Sequence, residues 1–169
     1  GLRAEQTFWW HGIIIGLALA VISNGKIAFL AATSTLATIL PAHRLGAFRY
    51  GANIATIGKI ALAGPAANIL FSWLILLLSH VGIIGGTIAW KLFSLNLLYA
   101  WWNLFPIPLL DGSKLFFWSR GLYALLFTML TTYIALVFAI GYRTFISGTL
   151  ISLLIGCIVV YQFNKKEWL

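Results

Sequence analysis

Long apolar runs separated by short polar breaks dominate the pattern along this chain. Runs of the length that a helix needs to cross a bilayer, roughly 20 apolar residues, occupy residues 60–80, 87–105, 121–140 and 145–163. Each of these runs is predicted to be a membrane-spanning helix. The pattern therefore predicts an all-α integral membrane protein, a polytopic helical bundle with about four full spanning helices.

Residues 1–40 have a different pattern, with two apolar segments that are too short to span a bilayer comfortably. These segments, residues 9–22 and 27–40, are separated by the turn-forming sequence Ser23-Asn24-Gly25-Lys26. We expect them to form a short re-entrant hairpin before the bundle. The second arm is rich in threonine, which favours a strand where the backbone faces protein or a water-filled cavity.

The polar breaks divide one predicted membrane domain, residues 1–169, into simple parts. Residues 1–40 form the short apolar hairpin, residues 41–59 a cytoplasmic interfacial connection, residues 60–163 the four transmembrane helices, and residues 164–169 a cytoplasmic tail. Most lysines and arginines fall on one side of this topology, and the positive-inside rule assigns that side to the cytoplasm. The same topology places Asp111 near the cytoplasmic face.

The composition supports a lipid environment and argues against nucleic-acid binding. Of the 169 residues, 62% are hydrophobic and 8% are charged, whereas soluble proteins contain about 25% charged residues. The net charge of +8 is scattered between apolar runs and is not gathered on one face with stacking aromatic residues. The single cysteine, Cys157, excludes an intrachain disulfide. The lipid bilayer is the expected surrounding, and no nucleic-acid partner is predicted.

The stretch NLFPIPLLDG, residues 103–112, is the first candidate for chemistry. Its Asp111 is the only acidic residue in the interior of the chain, and an ionisable group near membrane depth is a functional hypothesis by default. Pro106 and Pro108 remove backbone N–H groups, so the preceding helix must end just before them. Gly112 lets a following helix start close by. No adequate cationic partner for Asp111 is evident in the sequence, and a purely structural role for it as a helix N-cap stays open.

The stretch AGPAANI, residues 63–69, is the second candidate. Gly64 and Pro65 interrupt an apolar run, and Asn68 follows one helical turn later. Small residues let another backbone approach closely, so a packing patch with a proline kink explains this stretch as well as a functional site does. The same holds for Asn103, because asparagine often forms hydrogen bonds between membrane helices.

Together the two stretches resemble the motifs of the site-2 protease family of intramembrane zinc metalloproteases. Residues 103–112 are similar to the family motif N-x-x-P-x-P-x-x-D-G, and residues 64–68 are similar to G-P-x-x-N. The resemblance covers roughly residues 1–120. It implies an enzyme that hydrolyses peptide bonds of membrane-anchored protein substrates within the bilayer. The membrane that it implies is the prokaryotic plasma membrane.

The resemblance also implies roles for individual residues. Asp111 corresponds to a zinc ligand, and Asn68 and Asn103 correspond to residues that bind substrate or stabilise the oxyanion. The remaining motif residues shape the backbone around them, and these are Gly64, Pro65, Pro106, Pro108 and Gly112.

The sequence departs from the family because it contains no H-E-x-x-H helix, which supplies the other two zinc ligands and the general base. Its histidines are His11, His43 and His80, and none has the required spacing. Under one hypothesis the chain begins after the catalytic helix, so that Zn²⁺ needs a missing N-terminal segment or other subunits and this chain alone is inactive.

A second hypothesis is a degenerate homologue, in which residues 43–51 are the remnant of the metal-binding motif. The protein is then a non-catalytic pseudoprotease scaffold or a subunit of a membrane complex. A small transporter is a third class, which the broken helices near Asp111 support weakly.

Overall fold

A computed structural model of the chain describes residues 2–27, 29–31, 33–39, 53–141 and 145–165. The elements, in chain order, are β1 (Leu2–Phe8), α1 (Trp10–Ile22), β2 (Thr33–Ile39), α2 (Ile54–His80), α3 (Gly86–Asn103), α4 (Asp111–Trp118), α5 (Arg120–Ile140) and α6 (Phe145–Lys165). The chain is mostly helical, as the apolar runs predict.

Three helices in the described part are long and apolar enough to cross a membrane, and they are α2, α5 and residues Ile146–Lys165 of α6. Helix α3 has 18 residues, but Lys91, Asn96 and its tryptophans make it less apolar than the other three. The predicted number of four spans therefore stays a prediction. Many large apolar side chains on the outer faces of the helices are exposed, for example Leu70 and Leu154. Such faces suit contact with lipid.

Helix α2 begins before its apolar run, at Ile54, because Asn53 provides a cap. The Asn53 side chain accepts a hydrogen bond of 2.9 Å from the backbone N–H of Ala55, which satisfies one of the free N–H groups of the first turn. Pro65 lies inside α2 and does not end it. Residues 54–59, predicted to be part of a connection, are thus helical. Residues 41–52, including His43, lie outside the described residues.

Helices α2 and α3 are antiparallel neighbours and supply much of the core. The Ser72 hydroxyl of α2 lies 3.5 Å from the carbonyl oxygen of Phe93 in α3. On α3, the buried residues recur every three or four positions and so share one helical face. The core residues of that face and their neighbours on α2 and α5 are Phe93, Leu97, Ala100, Leu104, Ile75, Tyr133 and Val137.

Helices α5 and α6 also pack against each other. A Cβ atom on Gly156 of α6 would lie 3.1 Å from Leu125 Cδ1 and 3.5 Å from Met129 Cβ of α5, so the missing side chain permits a close approach. The two helices are joined by a short link and run antiparallel. The C-terminal end of α6 therefore returns to the end of the bundle where α5 begins.

The N-terminal part contains a two-stranded antiparallel sheet, so the expectation of an all-α fold is wrong there. Strands β1 and β2 pair from Leu2 opposite Ile39 to Phe8 opposite Thr33. The β-branched threonines of β2 favour this conformation. The sequence of β1, LRAEQTF, has no clear apolar alternation, and the apolar pattern therefore does not reveal it.

Helix α1 and the segment that follows it lie close together, as a hairpin requires. Asn24 and Gly25 have positive φ angles of 50° and 75°, which agrees with the predicted turn. A Cβ atom on Gly16 would lie 2.8 Å from the carbonyl oxygen of Phe29, and one on Gly12 would overlap that of Ala31. The start of the second arm thus lies against α1, whereas Thr33–Ile39 pair with β1. Re-entry of this arm into a membrane stays a prediction.

Candidate metal and substrate site

The loop between α3 and α4 carries the two prolines of the NLFPIPLLDG stretch. Helix α3 ends at Asn103, just before Pro106 and Pro108, as the missing N–H groups predict. Leu109 has a φ angle of +83°, a conformation that is unfavourable for a residue with a Cβ atom. Its carbonyl oxygen accepts hydrogen bonds from the Ser34 hydroxyl and, at 3.4 Å, from Lys114 Nζ. The strained residue thus connects the loop to its neighbours.

Aromatic rings surround the start of this loop and fix its position. The ring of Phe105 lies 5.0 Å from those of Trp101 and Trp102 and 5.4 Å from that of Phe127. The indole N–H of Trp101 also donates a hydrogen bond of 2.9 Å to Thr131 on α5. The loop is therefore held to both α3 and α5.

Three glycines let helix α4 pack tightly against its neighbours. A Cβ atom on Gly112 would overlap the carbonyl group of Leu104, one on Gly58 would lie 2.6 Å from Trp118 Cβ, and one on Gly64 would lie 3.3 Å from Asp111 Oδ2. The two ends of α4 thus rest on two glycines of α2. The Gly64 contact brings the G-P-x-x-N stretch beside the carboxylate, so the two stretches singled out in the sequence meet in space.

Asp111 is the first residue of α4, and its side chain is 7% exposed. Oδ1 accepts a hydrogen bond of 3.3 Å from the backbone N–H of Thr35, and Oδ2 accepts one of 3.3 Å from the Thr35 hydroxyl. The N-cap of α4 is Leu110, so the interpretation of Asp111 as a simple N-cap is wrong. The carboxylate still gains from its place in the first turn, where the helix dipole favours negative charge.

Lys114 is a cationic partner of Asp111 that the sequence analysis missed. Its Nζ lies 3.2 Å from Asp111 Oδ1, and its side chain is 21% exposed. The spacing of three residues places both side chains on one face of α4, and this spacing was the available signal. The expectation that the chain contains no adequate partner for Asp111 is therefore wrong.

Strand β2 covers the site through three successive residues. Thr33 hydrogen-bonds to the Tyr99 hydroxyl of α3, Ser34 donates to the Leu109 carbonyl oxygen, and Thr35 contacts Asp111. The carbonyl oxygen of Thr35 also accepts a hydrogen bond from Lys114. The start of β2 is thus bound to α3, to the proline loop and to α4.

The two asparagines lie on the helices next to this cluster. Asn103 is 4% exposed at the end of α3, and its Oδ1 has no hydrogen-bond partner within the described ranges. Asn68 is half-buried on α2, one turn beyond Gly64 on the same face. Within the described residues, neither asparagine side chain is hydrogen-bonded to Asp111. In the described part of the chain, the hydrogen-bonded cluster therefore contains Asp111 but neither asparagine side chain.

Among the described residues, Asp111 offers one carboxylate toward a metal site, without a complete set of ligands around it. Oδ1 of Asp111 lies 3.2 Å from the Lys114 ammonium group. A Cβ atom on Gly64 would lie 3.3 Å from Oδ2, so the backbone of α2 passes close to that oxygen. Over residues 2–27, 29–31, 33–39, 53–141 and 145–165, no group of three or more His, Cys, Asp or Glu side chains could hold a metal ion. His80 ends α2, about 24 Å along the helix from Gly64, and His11 lies at the start of α1.

Comparison with known proteins gives one relationship of note. A curated protein of Methanocaldococcus jannaschii, named "Putative zinc metalloprotease MJ0611", is 27% identical to this chain over 128 residues. The match covers 74% of this chain and 61% of that protein, so the chain spans less than two thirds of the relative's length. No family model matches this chain. No solved structure matches it.

Proposed function

We propose that this chain is the membrane-embedded part of a site-2-protease-like zinc metalloprotease that cleaves membrane-anchored proteins within the bilayer. The observation that carries the proposal is the buried Asp111 carboxylate, which lies between the proline loop, Gly64 and strand β2. This arrangement brings both motif-like stretches to one point. The relationship to a protein named as a zinc metalloprotease supports the same chemistry.

Asp111 is proposed as one zinc ligand. Its carboxylate is oriented by the N–H and hydroxyl groups of Thr35, as outer hydrogen bonds orient metal ligands elsewhere. Zinc sites in hydrolases use three protein ligands, so two histidines and a general base must come from an H-E-x-x-H segment outside the described residues. When bound, Zn²⁺ supplies a Lewis acid and an activated water.

The asparagines are proposed to bind the substrate backbone. The unpartnered Oδ1 of Asn103 is an acceptor for a substrate N–H group, because a buried amide without a partner gains a hydrogen bond when one arrives. The opposite amide orientation would present a donor to a developing oxyanion. Asn68 is proposed to assist from the neighbouring helix face.

Strand β2 is proposed to bind an extended substrate at its outer edge. The N–H of Thr35 points away from β1, toward Asp111, and alternation along an antiparallel strand then directs the N–H of Ala37 outward too. A helical substrate hides its carbonyl groups, so pairing with β2 would hold an unwound segment next to Asp111.

The protein is proposed to lie in a prokaryotic plasma membrane with Asp111 near the cytoplasmic side. Helix α2 starts and α3 ends at the Asp111 end of the bundle, and α6 returns to it. That end carries a cluster of cations, which the positive-inside rule places in the cytoplasm. They are Lys59, Lys114, Arg120 and Lys165.

A non-catalytic scaffold or complex subunit is the second candidate. The observation that favours it is the ion pair, because Asp111 already has a cation at 3.2 Å and needs no metal to compensate its charge. The coding sequence upstream of Gly1 separates the two candidates. An H-E-x-x-H motif there supports the protease, and a start codon directly upstream supports the scaffold.

A cleavage assay tests the proposed function. The full-length protein, reconstituted in lipid vesicles with a membrane-anchored test substrate, should cleave it, and Asp111→Ala should abolish the cleavage. Glu5→Ala is a matched control, because Glu5 is an exposed carboxylate that pairs with Arg3 at 2.9 Å. Equal cleavage by the Asp111→Ala and Glu5→Ala variants would contradict the proposal.

A further inference from the structure

Helix α3 has a second face besides the one that packs into the core. Four residues with the spacing i, i+3, i+4 and i+7 share this face, and they are Leu92, Leu95, Asn96 and Tyr99. Leu92 and Leu95 are exposed, so the face points away from the core of the bundle. Asn103 follows Tyr99 by one turn. The face therefore leads toward the asparagine that is proposed to bind substrate.

Residues 29–31, which follow α1, form the opposite wall of a groove over this face, called the α3 groove. The ring centroids of Phe29 and Trp102 are 4.6 Å apart, and Thr33 hydrogen-bonds to the Tyr99 hydroxyl. Leu30 lies between these two attachments in the chain. With Tyr99 it lines two neighbouring cavities of about 360 and 220 Å³. Since its wall is attached to α3 at two points, the groove is preformed.

Asn96 places an amide group in this groove. It lines the smaller cavity together with Leu30, Leu95 and Tyr99. Its Nδ2 donates a hydrogen bond of 2.9 Å to the carbonyl oxygen of Leu92, one turn earlier in α3. Within the described residues, the side chain forms no hydrogen bond to another helix, so it does not join two helices of this bundle. One amide hydrogen and the amide oxygen are left for a further partner.

Asn96 lies level with the middle of α2. The Ser72 hydroxyl of α2 is 3.5 Å from the carbonyl oxygen of Phe93, and Asn96 follows Phe93 by one turn of the antiparallel helix α3. Helix α2 is long and apolar enough to cross a membrane. At this depth a lipid-facing amide meets no water, and acyl chains offer it no hydrogen bond. A polar side chain on another apolar helix would satisfy it.

We propose that the α3 groove binds the transmembrane helix of the membrane-anchored substrate, and that Asn96 hydrogen-bonds to a polar side chain of that helix. The inference rests on the proposed function and names its class of substrate, an apolar helix with one asparagine, glutamine, serine or threonine facing Asn96. A helix is about 10 Å wide, so it lies over the open side of the groove and only its side chains enter the two cavities.

The groove also fixes where that polar side chain lies in the substrate. Asn96 and Asn103 are about 10 Å apart along α3. The polar side chain should therefore lie about two helical turns from the unwound segment that is proposed to pair with β2. The wall of the groove continues directly into β2, because residues 29–31 precede Thr33 in the chain. A substrate helix in the groove would thus deliver its end to the strand.

Disulfide cross-linking of the full-length protein to a synthetic membrane-spanning peptide in phosphatidylcholine vesicles tests the groove. The peptide consists of leucine and alanine, with one central asparagine and one cysteine a turn away. In a Cys157→Ser background, Leu95→Cys should cross-link to the peptide. Leu154→Cys, which is exposed on α6, should not. The binding requires no metal, so a chelator is present throughout.

Two results of the cross-linking would overturn the inference. Equal cross-linking at Leu95→Cys and Leu154→Cys would report random encounter in the lipid. Cross-links that form mainly between two copies of the Leu95→Cys protein would make the groove an interface between copies and not a substrate site.

Asn96→Leu tests the hydrogen bond itself, and a leucine suits this lipid-facing position, so the variant should fold. It should bind the asparagine peptide about three- to tenfold more weakly than the wild type. A peptide with leucine in place of the asparagine should bind both proteins equally. Equal binding of the asparagine peptide by both proteins would overturn the inference.

Cleavage of a membrane-anchored substrate by the wild type, measured separately, distinguishes the two failures. Cleavage without cross-linking at Leu95→Cys refutes the groove and leaves the proposed function in place. Cross-linking without cleavage refutes the proposed function and leaves a groove that binds an apolar helix.

Discussion

At the scale of residues, the site depends on a few polar groups from distant parts of the chain. Thr35 and Asp111 are 76 positions apart, yet the threonine donates both of its hydrogen bonds to the carboxylate. Lys114 and Asp111 share the first turn of α4. Lys114, a neighbour in the same helix, thus compensates the charge of the carboxylate. Thr35, which is distant in the sequence, orients it through hydrogen bonds.

Replacing Asp111 with asparagine should destabilise the metal-free protein. The substitution keeps the shape of the side chain but leaves the Lys114 ammonium group without a counter-charge, and since Lys114 is 21% exposed we expect a loss of about 1–3 kcal/mol. The double variant with Lys114→Met should recover part of this loss. Unfolding in denaturant measures both values, and additive effects of the two changes would contradict a direct interaction.

The sequence identified Asp111 because an isolated acid in an apolar chain is conspicuous. Lys114 follows three residues later, a spacing that places both side chains on one face of a helix. The roles of Thr35 and Tyr99 had no local signal, because each contact joins segments that are far apart in the sequence. Contacts of this kind follow from the fold and not from a motif.

At the scale of elements, helix α4 is positioned by close backbone approach. Gly112 sits against the carbonyl of Leu104, and Gly58 sits under Trp118. These contacts place the first turn of α4, and with it Asp111, beside Gly64. The sequence predicted the break at the prolines, the close start of the next helix and the tendency of the threonine-rich arm to form a strand, but not that this strand covers the proline loop.

Gly112→Ala should destabilise the protein by about 1–3 kcal/mol, because the added Cβ atom would overlap the Leu104 carbonyl and force α4 away from α3. Gly86→Ala is the matched control, since Gly86 begins α3 with nothing within 4 Å of the added atom, and it should be neutral or slightly stabilising. Thermal unfolding of both variants checks the prediction. Equal stability of the two would show that α4 is not packed as described.

Ala37→Pro should weaken substrate binding while the sheet survives. Proline removes an N–H group on the outer edge of β2, where it is tolerated better than at a position that bonds to β1. Proline at Ser34 or Thr35 would be a poorer test, because those residues hold Leu109 and Asp111 directly. Ala37→Val keeps the N–H group and serves as the control, and binding measured by cross-linking to a membrane-anchored peptide should be lost only in the proline variant. Full binding by Ala37→Pro would discard pairing at this edge.

At the scale of the whole molecule, the helices form a bundle with its charged end around Asp111. The apolar runs predicted α2, α5 and α6 well, because length and hydropathy are sufficient to identify such helices. They did not predict β1, whose sequence is polar and irregular. A pattern of apolar positions does not identify a strand such as β1, because its polar and apolar residues do not alternate.

Cysteine labelling in intact and inverted vesicles tests the orientation. In a Cys157→Ser background, Lys165→Cys should react only from the cytoplasmic side. Ile83→Cys, at the opposite end of the bundle and 68% exposed, should react only from the other side. Reaction of both positions from the same side would contradict the topology.

Zinc content is the most direct measure of the central claim that Asp111 is a metal ligand. The full-length protein and its Asp111→Ala variant should be purified in parallel and measured by inductively coupled plasma mass spectrometry. We predict about one zinc ion per wild-type molecule and a large loss of zinc in the variant, with Glu5→Ala unchanged. Full zinc occupancy in Asp111→Ala, or no zinc in the wild type, would contradict the account.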